Sequence, residues 1–379
     1  MRSANAYDVV VVGAGAVGLA CAWRSAQRGL SVCVLERGKP GEGASRVAAG
    51  MLAPATEAYF GEEELLELNL CAADSYADVA RELEDATGMD VGYARCGALY
   101  VGLDRDEAEE LRRVHEFHRS LGLDSEWLLA SECRRLEPGL TTACAGGLHA
   151  VCDGRVDPRR LTAALGRAAE LAGAMLVGGA EVTGALLAGE RLEGVSCADG
   201  SQFTAGHVVL AAGCWSGTAG WLPAEARPPV RPVKGQVVLL RGSVSVPVCE
   251  RVVRTPGVYV VPRGDGTVVL GATVEEAGFD ARVTAGGVHE LLREGYRAVP
   301  EVAELELAET AAGVRPGTPD NRPFIGRGAL DGLWLATGHY RNGILLAPVS
   351  GEAVAALVAG EEPAVSLAPF APDRFGVRV

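Results

Sequence analysis

Twelve residues near the start, VVVVGAGAVGLA (Val9–Ala20), constrain this chain more than any other stretch. A β-branched run, Tyr7–Val12, predicts a short strand buried on both faces. Ala16–Arg28 reads as a helix and Ser31–Glu36 as a second strand, so the chain opens on a βαβ unit. Between the first strand and the helix sits Gly13-x-Gly15-x-x-Gly18. The first glycine permits a tight turn, the second lets backbone approach a pyrophosphate, and the third lets helix pack on strand. The helix N-terminus adds N–H groups and a positive dipole, with Ala16 and Val17 in its first turn. Glu36 closes the second strand, where a carboxylate accepts hydrogen bonds from a ribose. A dinucleotide site follows, although the same pattern also occurs in ordinary glycine-rich turns.

Two further stretches favour FAD over NAD. TAGHVVLAAG (Thr204–Gly213) is a strand ending in tiny residues, which lets a nucleotide lie close. GEGASRVAAGMLAP (Gly41–Pro54) is a small-residue loop just after Glu36, suited to wrapping an extended cofactor. Long helices are expected over Gly61–Thr87, Arg105–Leu121 and Asp157–Ala172, the last opened by Asp-Pro. A strand is expected over Ala94–Leu103. From about Met175 the texture turns β-rich, with strands over His207–Gly213, Lys234–Gly242, Val258–Arg263 and Thr267–Val274. Helix returns over Thr284–Val299. Gly332–Tyr340 is read as a buried strand with its exit turn, and Ile344–Ala359 as the last helix, with Pro348 in its first turn.

This alternation predicts an α/β protein: a Rossmann-like FAD-binding domain with an interleaved α+β substrate domain on an antiparallel sheet. The expected boundaries are 1–90, 150–225 and 308–379 for the first, and 91–149 and 226–307 for the second. The net charge of −14 argues against nucleic acid or an anionic membrane surface as partner. The 10 cysteines are scattered without a CxxC pair, which reads as reduced, inert thiols in a cytoplasmic protein. No signal peptide and no run of about 18 apolar residues is seen.

The series VVVVGAGAVGLA, SRVAAGMLAP, VVLAAGCWSG, PVKGQVV, YVVPR, VVLGAT, GVRPGTPDNRPFIG and GHYRNGILLAP covers nearly the whole chain. In that order it resembles the D-amino-acid-oxidase-like flavoproteins, and within them the glycine oxidases of thiamine biosynthesis. The resemblance implies non-covalent FAD and oxidation of a small amino acid by hydride transfer to flavin N5. The products would be an imine or oxo acid, ammonia and hydrogen peroxide. It also implies that glycine imine supplies the thiazole of thiamine, with thiazole synthase as partner and a homotetramer as assembly.

The resemblance places FAD against Gly13, Gly15, Ala16, Val17, Gly18, Glu36 and Arg37. It adds Ser45, Arg46, Ala48, Ala49, Gly50, Met51 and Leu52 from the small-residue loop. Further along the chain come Val182, Ala211, Ala212, Gly213 and Trp215. Last come Gly313, Arg315 and the turn His339, Tyr340, Arg341, Asn342, Gly343 and Ile344.

Arg315 is the expected carboxylate-binding residue, because a guanidinium fork takes a carboxylate in two parallel hydrogen bonds. Pro316 restricts its backbone. Tyr259 matches the tyrosine beside the same carboxylate, and Arg341 is a second cation facing substrate or solvent. Hydride transfer from a neutral amine needs no protein base, so the lack of a Ser-His-Asp pattern is no obstacle. His339 is expected to contact flavin through its backbone. The turn over Gly338–Leu346 would stabilise negative charge on reduced flavin. Gly257 and Val258 leave the wall before Tyr259 small, and Val274 is another wall position. No cysteine follows Cys249, which leaves no late attachment point for flavin. The alternatives are a flavin dehydrogenase with a non-oxygen acceptor, a tRNA-modification oxidase domain, and a flavin-binding subunit with little chemistry of its own.

Overall fold

The structure is a computed structural model and describes residues 5–375. The first strand, Ala6–Val12, lies between Val32–Glu36 and Gln202–Leu210, parallel to both. Met175–Gly178 extends this sheet in parallel beyond Val32–Glu36, and Leu333–Thr337 does so beyond Gln202–Leu210. Phe324–Arg327 pairs antiparallel at one edge, and the hairpin Val182–Ala188/Arg191–Cys197 joins Gln202–Leu210 antiparallel. Val9, Val10 and Val11 are fully buried, as the uninterrupted β-branched run requires.

Four helices share one core against this sheet: Ala16–Gln27, Glu63–Thr87, Pro158–Leu171 and Gly343–Val358. The first and last approach closely, since a Cβ on Gly351 would lie 2.6 Å from Ala20. Asp157 caps its helix by accepting from the N–H groups of Arg159 (2.8 Å) and Arg160 (3.2 Å), and Pro158 takes the first position.

The last helix differs from expectation in one respect. It begins at Gly343, so Pro348 falls in the second turn and removes the N–H that would reach Ile344. The buried Tyr76 hydroxyl takes that place, donating to the Ile344 carbonyl at 3.1 Å.

A second eight-stranded sheet runs in the order Glu306–Gly317, Arg231–Arg241, Thr267–Gly271, Tyr259–Pro262, Val252–Arg254, Ala98–Gly102, Gly146–Ala150, Ser125–Leu129. All its pairings are antiparallel except Val252–Arg254 with Ala98–Gly102. The helix Ala285–Ala298 contributes Leu291 and Ala298 to the core on one of its faces.

The strand expected from Ala94 begins only at Ala98, because Gly97 sits at φ +75 and breaks the extension. The 12-residue strand Glu306–Gly317 crosses the expected boundary at 307/308 and belongs to the second sheet. Its glutamates and alanines have weak β propensity, and pairing with the 11-residue Arg231–Arg241 strand draws it in. Among the described residues no helix is long and apolar enough to cross a membrane.

Candidate active site

A cavity of about 860 Å³ is lined by the glycine turn of the first sheet and by one face of the second. The turn is built as a cradle. Gly13 has φ +107, and a Cβ there would lie 2.6 Å from the Ala211 carbonyl. Gly15 ends the turn without a side-chain cap, so first-turn N–H groups of the Ala16–Gln27 helix border the cavity. Ala16 N–H donates to Ser45 Oγ at 3.0 Å, which ties the small-residue loop to the cradle. Glu36 accepts from Ala14 N–H (2.8 Å) and Gly38 N–H (3.0 Å), so its carboxylate braces the same turn.

Gly18 does not reach the cavity. Its would-be Cβ lies 2.0 Å from the Gly13 carbonyl, which is the helix-on-strand contact expected of the third glycine. Arg37 lies over the Trp215 ring at 3.9 Å, and Trp215 stacks on Phe279 at 5.8 Å.

Most of the expected cofactor residues converge on this cavity. Val17, Ala48, Ala49, Gly50, Met51, Val182, Ala211, Ala212, Gly213, Gly313 and His339–Ile344 all line it. Beside Gly18, two more expectations are corrected. Arg46 turns outward and pairs with Glu309 at 3.8 Å, and Leu52 is 2% exposed within the helical core. The stretch read as a loop folds into a short helix, Ala44–Val47, and a short strand, Met51–Leu52, which set the direction of these side chains.

The second sheet supplies a flat shelf. Register places Arg315 opposite Val233, Gly235 opposite Gly313, Tyr259 opposite Gly271, and Arg254 opposite both Tyr259 and Tyr100. Glycine at 235 and 271 leaves room for the large side chains beside them. A Cβ on Gly235 would lie 2.3 Å from Arg315 Nη1, and one on Gly271 would lie 2.6 Å from the Tyr259 hydroxyl.

Arg315 Nη1 donates to the carbonyls of Lys234 (3.4 Å) and Thr273 (3.2 Å). No carboxylate among the described residues lies within 4 Å of it. Behind it the buried Lys234 is paired with Glu275 at 3.0 Å. Burial pushes the Tyr259 phenol above its usual value, and the adjacent Arg315 guanidinium offsets part of that rise.

Arg341 also lines the cavity, but its charge is committed. It lies 3.1 Å from Glu57 and 3.2 Å from Glu62, over the Tyr59 ring at 4.2 Å. Glu57 meanwhile pairs with Arg254 at 2.7 Å. Arg254 donates to Tyr59 Oη (2.7 Å) and to the Thr56 carbonyl, and lies over Tyr100. Burial would lower its pKa, but Glu57, Tyr59 and Tyr100 outweigh burial and raise it. Asp153 fastens the same segment by accepting from Ala55 N–H and Thr56 N–H. Its own pKa is raised to about 6 by burial, against the pull of those hydrogen bonds.

Sequence reading missed Arg254 and Glu57. A signal for the first was present: the Pro-Gly turn in RTPGVY sets Arg254 opposite Tyr259.

The His339 ring bonds Ser350 at 2.9 Å and is held neutral, its pKa lowered to about 3 by burial. Tyr340 next to it adopts φ +45, which aims the turn at the cavity. Gly257, Val258 and Val274 all line the cavity, with Val274 67% exposed.

Residues 8–357 match the family model described as DAO, FAD dependent oxidoreductase. The chain belongs to this family. It is 37% identical to a glycine oxidase of Geobacillus kaustophilus over 371 residues, covering 97% of each chain. A crystal structure of glycine oxidase from that organism superposes with a TM-score of 0.92 at 36% identity, over 98% of this chain and 99% of that one. A bifunctional protein ThiO/ThiG of Synechocystis is 36% identical over 97% of this chain and 54% of its own length.

FAD is the cofactor of the DAO family, and the residues present fit it. The Gly13 and Gly18 contacts leave no space for side chains, the helix N-terminus borders the cavity, and the cavity extends from there to Arg315.

Proposed function

We propose that this chain is a glycine-oxidase-type enzyme that oxidatively deaminates glycine, and with it sarcosine and small D-amino acids. The products are the imine or its oxo acid, ammonia and hydrogen peroxide. The observation that carries this reading is Arg315. It is a half-buried cation on the cavity wall with no carboxylate among the described residues within 4 Å, seated over a glycine and beside the half-buried Tyr259. Such a group is suited to the carboxylate of an amino acid.

FAD, which the glycine cradle and the His339–Ile344 turn would hold, would supply a two-electron acceptor for the substrate Cα–H, with oxygen as the final oxidant. The chain's own residues bind and orient. Arg315 spends Nη1 on two backbone carbonyls, which fixes the plane of the fork and leaves its other N–H groups for a carboxylate. Tyr259 donates a further hydrogen bond to that carboxylate. Arg341 and Arg254, neutralised by Glu57 and Glu62, close the wall around the amine end. His339 takes no proton, since burial holds it neutral while Ser350 bonds its ring. Small residues at Gly257 and Ala272 leave room beside glycine, and each methylene changes selectivity by only about 1–3 kcal/mol.

The relative that joins ThiO to ThiG in one chain supports placing the imine upstream of thiazole assembly, with thiazole synthase as partner. The test is anaerobic addition of glycine to the purified yellow protein. Rapid bleaching of flavin absorbance, reversed by air with release of peroxide, is expected. No bleaching would refute glycine as substrate, and bleaching that air does not reverse would refute oxygen as acceptor.

A further inference from the structure

Residues 275–284 leave the second sheet as an arm, between the strand Thr267–Gly271 and the helix Ala285–Ala298. Both ends of the arm are tied to the buried Gln236 on the strand Arg231–Arg241. Gln236 Nε2 donates to Glu275 Oε1 at 2.7 Å and to Thr284 Oγ1 at 3.1 Å, and Thr284 N–H donates to Gln236 Oε1 at 2.8 Å. Backbone hydrogen bonds of 3.0 Å in both directions between Lys234 and Glu275 fasten the first end further. Between these ties the arm is largely exposed, and Phe279 at its centre is its single aromatic residue.

The Phe279 ring crosses to an element of the first sheet. It stacks on Trp215, with centroids 5.8 Å apart and planes 24° apart. Trp215 lies in the short helical turn Gly213–Thr218, which follows the strand Gln202–Leu210. It lines the cavity, carries the Arg37 guanidinium over its ring at 3.9 Å, and lies 4.0 Å from where a Cβ on Gly43 would stand. Arg37 follows Glu36 directly, so the stack stands at the dinucleotide end of the cavity. We propose that Phe279 is a cofactor-retaining residue, which holds Trp215 against FAD and clasps the two sheets across the cofactor site. Phe279 itself does not line the cavity, so it acts through Trp215 as a positioning residue.

The physical case rests on where the arm is fixed and where it is free. Its ends are pinned by a buried amide, so Phe279 is presented to Trp215 without any movement of the sheet's core. Its exposed middle has little else to lose, so the stack opens as a local event. An offset aromatic pair favours the closed position beyond the area it buries. The Arg37 cation acts on the same indole ring. Contacts that must break before a ligand leaves are read mainly in its off-rate.

This inference goes beyond the reading of the substrate, and its test needs no glycine, so the two stand or fall separately. Purified holoprotein is diluted, and the flavin fluorescence that appears as FAD leaves is followed with time. Phe279→Ala should release FAD about 2- to 12-fold faster than the unaltered chain, the rate equivalent of one aromatic pair. Phe279→Tyr should restore slow release. Val283→Ala, an exposed apolar change on the same arm, should leave release slow. In a Trp215→Ala background, which loses FAD faster by itself, Phe279→Ala should add nothing. Unchanged release in Phe279→Ala would overturn the proposal, as would equal acceleration in Val283→Ala or a full Phe279→Ala effect without Trp215.

Discussion

Tyr76→Phe tests how the last helix tolerates a proline next to the cavity. In the structure the Tyr76 hydroxyl supplies the hydrogen bond that Pro348 cannot, at 3.1 Å from the Ile344 carbonyl, and Tyr76 is 1% exposed. Removing the hydroxyl leaves a buried carbonyl short of its donor, at a cost of about 1–3 kcal/mol. At about 1.4 kcal/mol per tenfold change, that lowers the folded-to-unfolded ratio roughly 5- to 150-fold. Pro348→Ala restores an N–H four residues after Ile344, so it should absorb most of the loss. The Tyr76→Phe effect should then fall below about 1 kcal/mol in the Pro348→Ala background, which makes the pair strongly non-additive. Urea unfolding of the holoprotein, followed by far-UV circular dichroism for the four variants, measures this coupling. Equal losses in both backgrounds would refute the substitution of a tyrosine hydroxyl for a helical N–H.

The remaining predictions concern the site. Arg315→Ala removes two charge-assisted hydrogen bonds of about 1.5–3 kcal/mol each, so kcat/KM for glycine should fall roughly 10²- to 10⁴-fold while FAD stays bound. Near-normal apparent affinity for glycine would sink the assignment, and Tyr259→Phe should cost about tenfold or less. Gly235→Ala puts a Cβ 2.3 Å from Arg315 Nη1. It should raise KM for glycine at least about tenfold by displacing the fork, because small misplacement is costly, and an unchanged KM would show that the fork has room to shift. His339 has a folded pKa of about 3, below its ordinary value. The folded state therefore binds fewer protons than the unfolded one as pH falls from about 6.5. Its contribution is present above that pH and lost below it, at no more than about 1.4 kcal/mol per pH unit. His339→Gln should flatten the decline of Tm between pH 6.5 and 5, and identical slopes would contradict a neutral buried ring.

The cradle was legible from sequence because everything it needs is contiguous. A β-branched run, three glycines at fixed spacing, a helix start and Glu36 fall within one βαβ unit, where local sterics decide the backbone. The same holds for Arg315, set before a proline at the end of its strand. Legibility failed where side-chain direction depended on more than local pattern. Arg46 and Ser45 are neighbours in one short helix, yet Ser45 braces the glycine turn and Arg46 pairs outward with Glu309. The strand Glu306–Gly317 was only partly foreseen, because its outer residues are held by a partner strand and have little propensity of their own.

The sequence by itself determined the dinucleotide cradle and set Arg315 directly before a proline near the end of its strand. Glycine spacing and a proline-locked arginine act through short-range sterics. Only the tertiary structure decided which cations remain available. Glu57 reaches Arg254 and Arg341, residues nearly 200 and 300 positions away, and pairs with both, whereas no carboxylate among the described residues lies within 4 Å of Arg315. Charge pairing depends on distance through space, and that distance exists only once the two sheets have met.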